Sequence, residues 1–374
     1  MGMNMQIAIG QWQVYSLTQS PFQLGLVGLM NVLPLILLGV FGGTVSDMVD
    51  RRKLVGYAQL GRIAIVLVLG VLTLSGLVQV WQIYAGGLAA SFLSAFEGPA
   101  RQAIVFSLVP KNHLMNAITW HNVQRDASNL VGPAVAGTLM STVSIGSAYV
   151  AESLFFVPLI VVMLTLGVGG TLPERRPAID VLREGFRFLG STPLILTALS
   201  LDFFLTFFGA YRPLLAIYAR DILDVGPAGF GVLNSAVALG GMGGSAFVLG
   251  VGESRKKGPI QLAATLVYAA SVAAFGLSSW FALSLAICAV LGFCDTVAGI
   301  MRRSIIQLAT PAQLQGRVAA VQQIVSTGGP ALGGVQAGTI SGLIGAPLTL
   351  VIGAAVCGAS TLATTVRARA FRGV

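Results

Sequence analysis

Residues 42–54 have the sequence GGTVSDMVDRRKL, in which two aspartates and three cations follow a long uncharged run. Residues 22–41, immediately before this stretch, contain no charged side chain. A charge-rich turn between apolar segments is typical of a short loop that joins two membrane-spanning helices. The stretch therefore predicts a crossing helix, a tight turn at the membrane surface and a second crossing helix.

The composition of the whole chain also indicates a membrane protein. Of its 374 residues, 55% are hydrophobic and only 9% are charged, whereas a soluble domain carries about 25% charged residues. The net charge of +9 is interpreted as a topology signal. No basic stretch is interleaved with aromatic residues, so we expect no nucleic-acid partner. The three cysteines and two histidines show no metal-ligand spacing, so we expect neither a metal nor a cofactor.

Apolar runs of about 20 residues, the length that crosses a bilayer as a helix, recur along the chain. A twelfth and shorter run at 1–17 carries three glutamines, and we expect it to be the second half of a helix 1 that is truncated at its N-terminus. The prediction is an all-α multi-pass membrane protein with twelve helices. Eleven full spans are predicted at 22–46, 54–76, 81–104, 114–141, 148–170, 194–218, 227–251, 259–278, 281–304, 317–342 and 347–366.

The cations fix the expected orientation of these helices. Eighteen of the 22 lysine and arginine side chains lie at alternate connections and at the C-terminus, and the other connections hold only Arg220. Cytoplasmic loops carry the excess of positive charge in membrane proteins. We therefore expect the turn at 42–54 and the C-terminus to face the cytoplasm.

An apparent internal repeat predicts two pseudo-symmetric six-helix bundles, with chance similarity between apolar helices as the alternative. The segment at 106–137 parallels the segment at 306–334, and their matching residues are offset by about 200 positions. Repeats of this kind are a signature of secondary transporters. The predicted organisation is an N-terminal bundle at 1–170, a cytoplasmic amphipathic linker at 171–193, a C-terminal bundle at 194–366 and a cytoplasmic tail at 367–374.

The charged turn at 42–54 resembles the signature between helices 2 and 3 of the major facilitator superfamily, roughly Gly-x-x-x-Asp-Arg-x-Gly-Arg-Arg. Met48 stands where that family usually has arginine. The stretches WQVYSLTQSPFQLGLVG (12–28) and EGPARQAIVFSLVP (97–110) further resemble the branch that contains the enterobactin exporter and related bacterial efflux proteins. The resemblance implies a secondary active transporter of the bacterial inner membrane, not an enzyme, that works by alternating access. The residues that match the signature are Gly43, Asp47, Arg51 and Arg52.

The resemblance also implies that the charged turn is a gate on the cytoplasmic side. Asp47 would latch onto the N-terminus of helix 11, where the helix dipole attracts an anion by about 0.3–2 kcal/mol. Asp50 fits the efflux branch, which often has aspartate at this position. Arg101 would join the network from helix 4, although a second topology anchor is an alternative for it. The predicted gating residues are Gly43, Asp47, Asp50, Arg51, Arg52 and Arg101.

Charged residues inside the spans are candidates for a substrate or proton cavity, because each costs about 2.5–3.5 kcal/mol at a helix centre on insertion scales. Static ion pairs between helices are the alternative. Asp202 or Asp126 is the expected proton-coupling site, whereas Arg62 and Arg212 are interpreted as side chains that snorkel to the surfaces. The predicted cavity residues are Trp120, Asn122, Arg125, Asp126, Asp202 and Asp295.

The predicted function is proton-coupled export of a small organic molecule such as a siderophore, a drug or a metabolite. Import of a nutrient through the same fold and a truncated, inactive relic are the alternatives. A membrane-embedded enzyme is not favoured, because two histidines eight residues apart supply neither a metal cluster nor a paired nucleophile and base. The expected partners are the substrate, the proton and the lipid bilayer, and we expect a monomer.

Overall fold

The computed structural model describes residues 1–110, 113–165, 187–190, 192–252 and 256–367, and only the backbone of residues 39–48, 106, 107, 114, 115, 118, 164, 312 and 367. These ranges contain helices and no strand. The predicted linker at 171–193 and tail at 367–374 fall almost entirely outside the described residues. Of the linker, residues 187–190 are helical.

Thirteen helices of at least nine residues follow one another in the described ranges. Their bounds are α1 (Gly2–Thr18), α2 (Pro21–Met48), α3 (Arg51–Leu74), α4 (Val80–Leu108), α5 (Leu114–Thr142), α6 (Ile145–Leu154), α7 (Val157–Thr165), α8 (Pro193–Phe208), α9 (Gly226–Val251), α10 (Lys257–Leu277), α11 (Phe281–Ala309), α12 (Gln315–Ile344) and α13 (Ala346–Arg367).

Two membrane segments consist of more than one piece. The helices α6 and α7 form one span that breaks after Leu154, and α8 is extended by three short turns, Arg212–Leu214, Leu215–Ile217 and Tyr218–Ile222, the last of them a π-turn. With these joined, the described residues form twelve membrane segments, and the eleven predicted full spans all coincide with one of them. Eight segments are long and apolar enough to cross a bilayer by length and composition alone. The all-α, multi-pass prediction is therefore confirmed.

The connection within the charged stretch at 42–54 is only two residues long. The helix α2 ends at Met48 and α3 begins at Arg51. Asp50 caps α3, because its carboxylate accepts hydrogen bonds from the backbone N–H groups of Arg52 at 3.0 Å and Lys53 at 3.4 Å. Such a cap satisfies N–H groups that have no partner inside the helix. The cations of this turn consequently belong to the first turn of α3.

Successive segments run in opposite directions, so the connections lie at two ends of the molecule. We call the end that holds the Met48–Arg51 turn the basic end and the other the opposite end. We further call residues 1–165 the N-terminal half and residues 187–367 the C-terminal half. The largest hydrophobic core includes residues of both halves, among them Trp12 and Phe230, whose ring centroids are 5.7 Å apart. The cores nearest the basic end each belong to one half.

Glycines let the two halves touch backbone to backbone at the opposite end. A Cβ atom added to Gly137 of α5 would lie 2.5 Å from the carbonyl oxygen of Pro227 at the start of α9, closer than a real Cβ atom comes to an oxygen. One added to Gly338 of α12 would overlap the carbonyl oxygen of Pro21 at the start of α2. Both contacts therefore require glycine. The molecule is closed at the opposite end.

A second glycine contact holds α9 against α11 within the C-terminal half. A Cβ atom on Gly240 would overlap the carbonyl oxygen of Ala289, and one on Gly292 would overlap that of Val237. Close approach through small residues is a common way to pack helices in a membrane, where apolar burial gives little driving force.

We predict that Gly240→Ala lowers the thermal unfolding midpoint, because separating α9 from α11 costs about 1–3 kcal/mol, as overpacking does elsewhere. Gly250→Ala is the matched control, since nothing lies within 4 Å of a Cβ at that position of the same helix. Tryptophan fluorescence during heating of the purified protein measures both. Equal midpoints for Gly240→Ala and the unchanged protein would show that this contact does not hold the helices.

Candidate functional site

The predicted gate is described only in part. Gly43 and Asp47 lie in the last turns of α2, where the structure describes the backbone alone. Asp50 is the cap of α3. The guanidinium of Arg52 donates a hydrogen bond to the backbone carbonyl of Met163 in α7, which ties the start of α3 to the sixth membrane segment. The contact of Asp47 with α12 stays a prediction.

Arg101, the remaining gate candidate, belongs to a charge cluster between α3 and α4. Its guanidinium lies 3.5 Å from Glu97 one turn earlier, and Arg62 of α3 lies 2.9 Å from the other oxygen of Glu97. The Arg62–Glu97 contact has the distance of an ion pair without the alignment of a hydrogen bond. Arg62 also donates to the hydroxyl of Ser94 at 2.5 Å. The snorkelling interpretation of Arg62 is wrong, because its side chain is buried.

Asp202 belongs to a buried cluster where α8, α11 and α12 meet. Its carboxylate accepts a hydrogen bond from the guanidinium of Arg302 and another from the hydroxyl of Ser326 at 3.4 Å. Arg302 also donates to Ser326, at 3.3 Å. Arg302 lies within α11, which continues to Ala309. This arrangement is an interhelical ion pair, and it leaves Asp202 only 4% exposed.

A second ion pair in the C-terminal half is open to solvent. The guanidinium of Arg212 lies 3.9 Å from the carboxylate of Asp295, and their side chains are 56% and 45% exposed. Arg212 begins the short turns that follow the break in α8 at Gly209, and Asp295 is the middle residue of α11. Arg212 therefore does not snorkel to a surface. Exposed charges this deep indicate a water-accessible space inside the bundle.

The predicted cavity residues of α5 lie along its half nearer the basic end. Arg125 and Asp126 are neighbours in sequence, yet their charged atoms approach to 3.8 Å, with side chains 55% and 35% exposed. Trp120 is 73% exposed, and Asn122 is exposed as well. The structure thus brings Arg125 and Asp126 together, but it shows no contact between them and Trp120 or Asn122.

A polar contact joins the two halves at the opposite end. The hydroxyl of Tyr15, near the end of α1, donates a hydrogen bond to the carboxylate of Asp221 in the π-turn of the seventh segment. Arg220 lies 3.9 Å from that carboxylate, donates to the backbone carbonyl of Tyr15 at 3.3 Å and covers its ring. The sequence pattern marked Arg220 only as a lone cation. The carboxylate beside it was the signal for this contact.

An apolar cavity of about 350 Å³ lies at the basic end of the C-terminal half. Two of its lining residues, Phe203 and Val325, are the sequence neighbours of Asp202 and Ser326. The volume is near the lower limit for small-molecule sites. It is lined by Leu189, Gly190, Leu196, Leu199, Ser200, Phe203, Phe204, Val321 and Val325.

The two helical halves close against each other at one end of the molecule. Solvent-exposed ion pairs lie at mid-depth. A family model described as a transmembrane secretion effector matches residues 1–371. The chain belongs to this family. Its relatives and structural neighbours are transporters of the major facilitator superfamily, which confirms the resemblance carried by the charged turn.

Curated relatives of this transporter are exporters and transporters at modest identity. The enterobactin exporter EntS of Escherichia coli (strain SE11) is 26% identical over 356 residues, which cover 92% of this chain and 82% of EntS. The uncharacterized MFS-type transporter YfiS of Bacillus subtilis (strain 168) is 28% identical over 199 residues, or 52% of this chain and 46% of YfiS. The matched stretch therefore spans less than half of YfiS.

Solved structures share the fold of this transporter. The nucleoside transporter NupG superimposes with a TM-score of 0.74 at 11% identity and covers 98% of this chain and 97% of its own. A bacterial homolog of the human lysosomal transporter Spinster, in an inward-facing and occupied conformation, has a TM-score of 0.73 at 12% identity, with 99% and 96% coverage. At these identities the likeness shows the fold alone.

The two ion pairs of the C-terminal half lead to a prediction about stability. Asp202→Asn should lower the free energy of unfolding of this transporter by about 3–5 kcal/mol, because it leaves the buried Arg302 without a counter-charge. Asp295→Asn is the matched control and should cost less than about 1 kcal/mol, because its pair is exposed to solvent. Denaturant titration in detergent or lipid measures both.

A second substitution distinguishes the loss of charge balance from a change in side-chain shape as the cause of the lost stability. Adding Arg302→Gln to Asp202→Asn removes the uncompensated cation and should recover part of the lost stability. A double variant no more stable than Asp202→Asn, or equal losses for Asp202→Asn and Asp295→Asn, would contradict the assignment of the buried pair.

Proposed function

We propose that this protein exports small organic molecules across the bacterial inner membrane by alternating access and that proton uptake drives the export. One observation carries the proposal. A core shared by both halves closes the opposite end, while the charged pairs Arg125–Asp126 and Arg212–Asp295 stay exposed at mid-depth. Such a space opens to one side of the membrane at a time when the halves, proposed as bundles at 1–170 and 194–366, rock about it.

The positive-inside rule assigns the basic end and the C-terminus to the cytoplasm. The described conformation is then closed toward the outside and ready to take up substrate from the cell. The Spinster homolog was solved in an inward-facing state, and its likeness in fold supports this orientation. The proposed linker at 171–193 would join the two bundles on the cytoplasmic side.

Export, and not import, is supported by the EntS relatives, which are named for the export of enterobactin. The apolar cavity at the basic end of the C-terminal half supports an organic substrate over an inorganic ion. The transport experiment that tests the proposal can also yield import or no transport, which would indicate an importer or an inactive relic. The proposal also keeps the protein a monomer in the bilayer, with the substrate and the proton as its ligands.

Asp126 is the coupling carboxylate that the geometry favours over Asp202. Asp126 is partly exposed and pairs loosely with its neighbour Arg125, so water can deliver and remove a proton. Asp202 is buried and engaged by Arg302 and Ser326, which suits a structural role. One proton moving through 100 mV supplies about 2.3 kcal/mol, enough to concentrate a substrate about 40-fold.

The gate proposal applies to the basic end. Asp47 at the end of α2 would bind the N-terminus of α12 when the cytoplasmic side closes, and Arg101 would join this network from α4 while keeping its contact with Glu97. Asp47→Asn should therefore slow transport without reducing the amount of protein in the membrane.

Transport in proteoliposomes tests the proposal. Liposomes with an imposed pH gradient are loaded with siderophores, cationic drugs or aromatic acids, and we expect at least one compound to move against the direction of the proton. Asp126→Asn should abolish the dependence on the pH gradient. Asp224→Asn is the matched control, because Asp224 is an exposed residue of the opposite end with φ 50°, a conformation that asparagine also tolerates.

The outcomes distinguish the alternative functions. Transport of a compound along with the proton would show an importer. No flux of any compound, with Asp47→Asn and the unchanged protein alike, would support a relic. Equal pH dependence in Asp126→Asn and Asp224→Asn would exclude Asp126 as the coupling residue.

A further inference from the structure

Glu152 is an acidic residue of α6 that lies apart from the gate and from the exposed ion pairs. Its side chain is fully buried, with an exposure of 0%. Both carboxylate oxygens lie without a hydrogen-bond partner among the described residues. Burying an ionised carboxylate without donors is strongly unfavourable, and such a group becomes neutral instead. The surroundings therefore favour the protonated carboxyl.

The helices around Glu152 supply few charges. The helix α6 packs against α1, α3, α5 and α7. The charged or titratable groups that face it are Arg62 of α3, the α-amino group of Met1 before α1 and Tyr149 of α6 itself. The helix α7 carries no titratable side chain. The charged pair of α5, Arg125–Asp126, is solvent-exposed, unlike Glu152.

Arg62 is the side chain that could neutralise an ionised Glu152, but it is engaged elsewhere. It pairs with Glu97 at 2.9 Å and does not reach Glu152 within 4.0 Å, the limit for an ion pair among the described residues. Among the described residues, the buried Nε atom of Arg62 has no hydrogen-bond partner. Arg62 therefore keeps an unused donor, while both carboxylate oxygens of Glu152 lack one.

Glu97 can release Arg62 without losing its counter-charge. Arg101, one turn further along α4, already lies 3.5 Å from the other oxygen of Glu97. If Arg62 turns toward α6, Glu97 keeps Arg101 and Glu152 gains Arg62. The cluster of Arg62, Arg101 and Glu97 carries one excess positive charge while Glu152 holds a proton, and its charges balance once Glu152 has released that proton.

We propose that Glu152 is a proton-binding site of the N-terminal half, separate from the exposed ion pairs, that is protonated in this conformation and ionised when Arg62 exchanges Glu97 for Glu152. On release the O–H bond breaks, the proton passes to water and the carboxylate pairs with Arg62. On uptake the sequence reverses. The site would give the transporter a second proton position, and this consequence alone rests on the proposed function.

Infrared spectroscopy of the purified full-length protein in lipid nanodiscs tests the protonation state directly. We expect a carbonyl stretching band of a protonated carboxyl group at neutral pH, sensitive to deuterium exchange, that disappears in Glu152→Gln and persists in the control Asp224→Asn. The glutamine side chain has the shape of the neutral carboxyl, so the variant should fold. A spectrum of Glu152→Gln identical to that of the unchanged protein would overturn the proposal.

Two further variants test the exchange of Arg62. In Glu97→Gln, Arg62 loses its partner and turns to Glu152, so the band at neutral pH should weaken. In Arg62→Gln the competing cation is gone, so the band should persist to higher pH than in the unchanged protein. A band that responds to neither variant would remove Arg62 from the proposal.

Chemical labelling gives a second measurement that needs no variant. A hydrophobic carbodiimide reacts with protonated carboxyl groups buried in a membrane, and mass spectrometry of peptides should find the adduct on Glu152 and not on Glu97. Full peptide coverage without an adduct on Glu152 would contradict its neutral state. Neither measurement uses transport. The proton site can therefore be confirmed when the proposed export is refuted, and it can be refuted when the proposed export is confirmed.

Discussion

Backbone contact between the two halves at the opposite end is the constraint on which the rest of the structure depends. The start of α2 lies against α12, and the start of α9 lies against α5, at distances that admit no side chain at Gly338 or Gly137. These contacts fix how the two halves meet at the opposite end, and the same four helices run from there toward the basic end.

The distribution of charge follows from this geometry. Where helices of one half meet, buried ions are paired, as in Asp202 with Arg302 and Glu97 with Arg62. The pair of Arg212 with Asp295, also within one half, is looser and exposed. A close buried pair holds helices together, whereas an exposed pair can exchange its partner for water or a ligand. The same residue types thus serve structure in one place and are available for transport in the other.

Sequence patterns predicted the spans because each is a run of apolar residues whose length is set by the bilayer. They also predicted which charges lie inside the membrane, because Asp202 and Asp295 interrupt such runs. They could not predict partners. Arg302 lies near the end of the predicted span at 281–304, yet the helix continues to Ala309 and the side chain of Arg302 is buried. Glu152 interrupts an apolar run in the same way as Asp202, and only the packing of α1, α3 and α6 shows that its carboxylate lacks a partner among the described residues.

The central claim is that the two ends of the molecule open in turn. Pulsed electron paramagnetic resonance between spin labels measures this directly, with Leu108→Cys and Leu308→Cys at the basic end and Leu77→Cys and Leu343→Cys at the opposite end, all four positions being exposed. As pH is varied in lipid, we predict that the first distance shortens whenever the second lengthens. Distances that change together, or that stay constant under every pH and candidate substrate, would contradict alternating access.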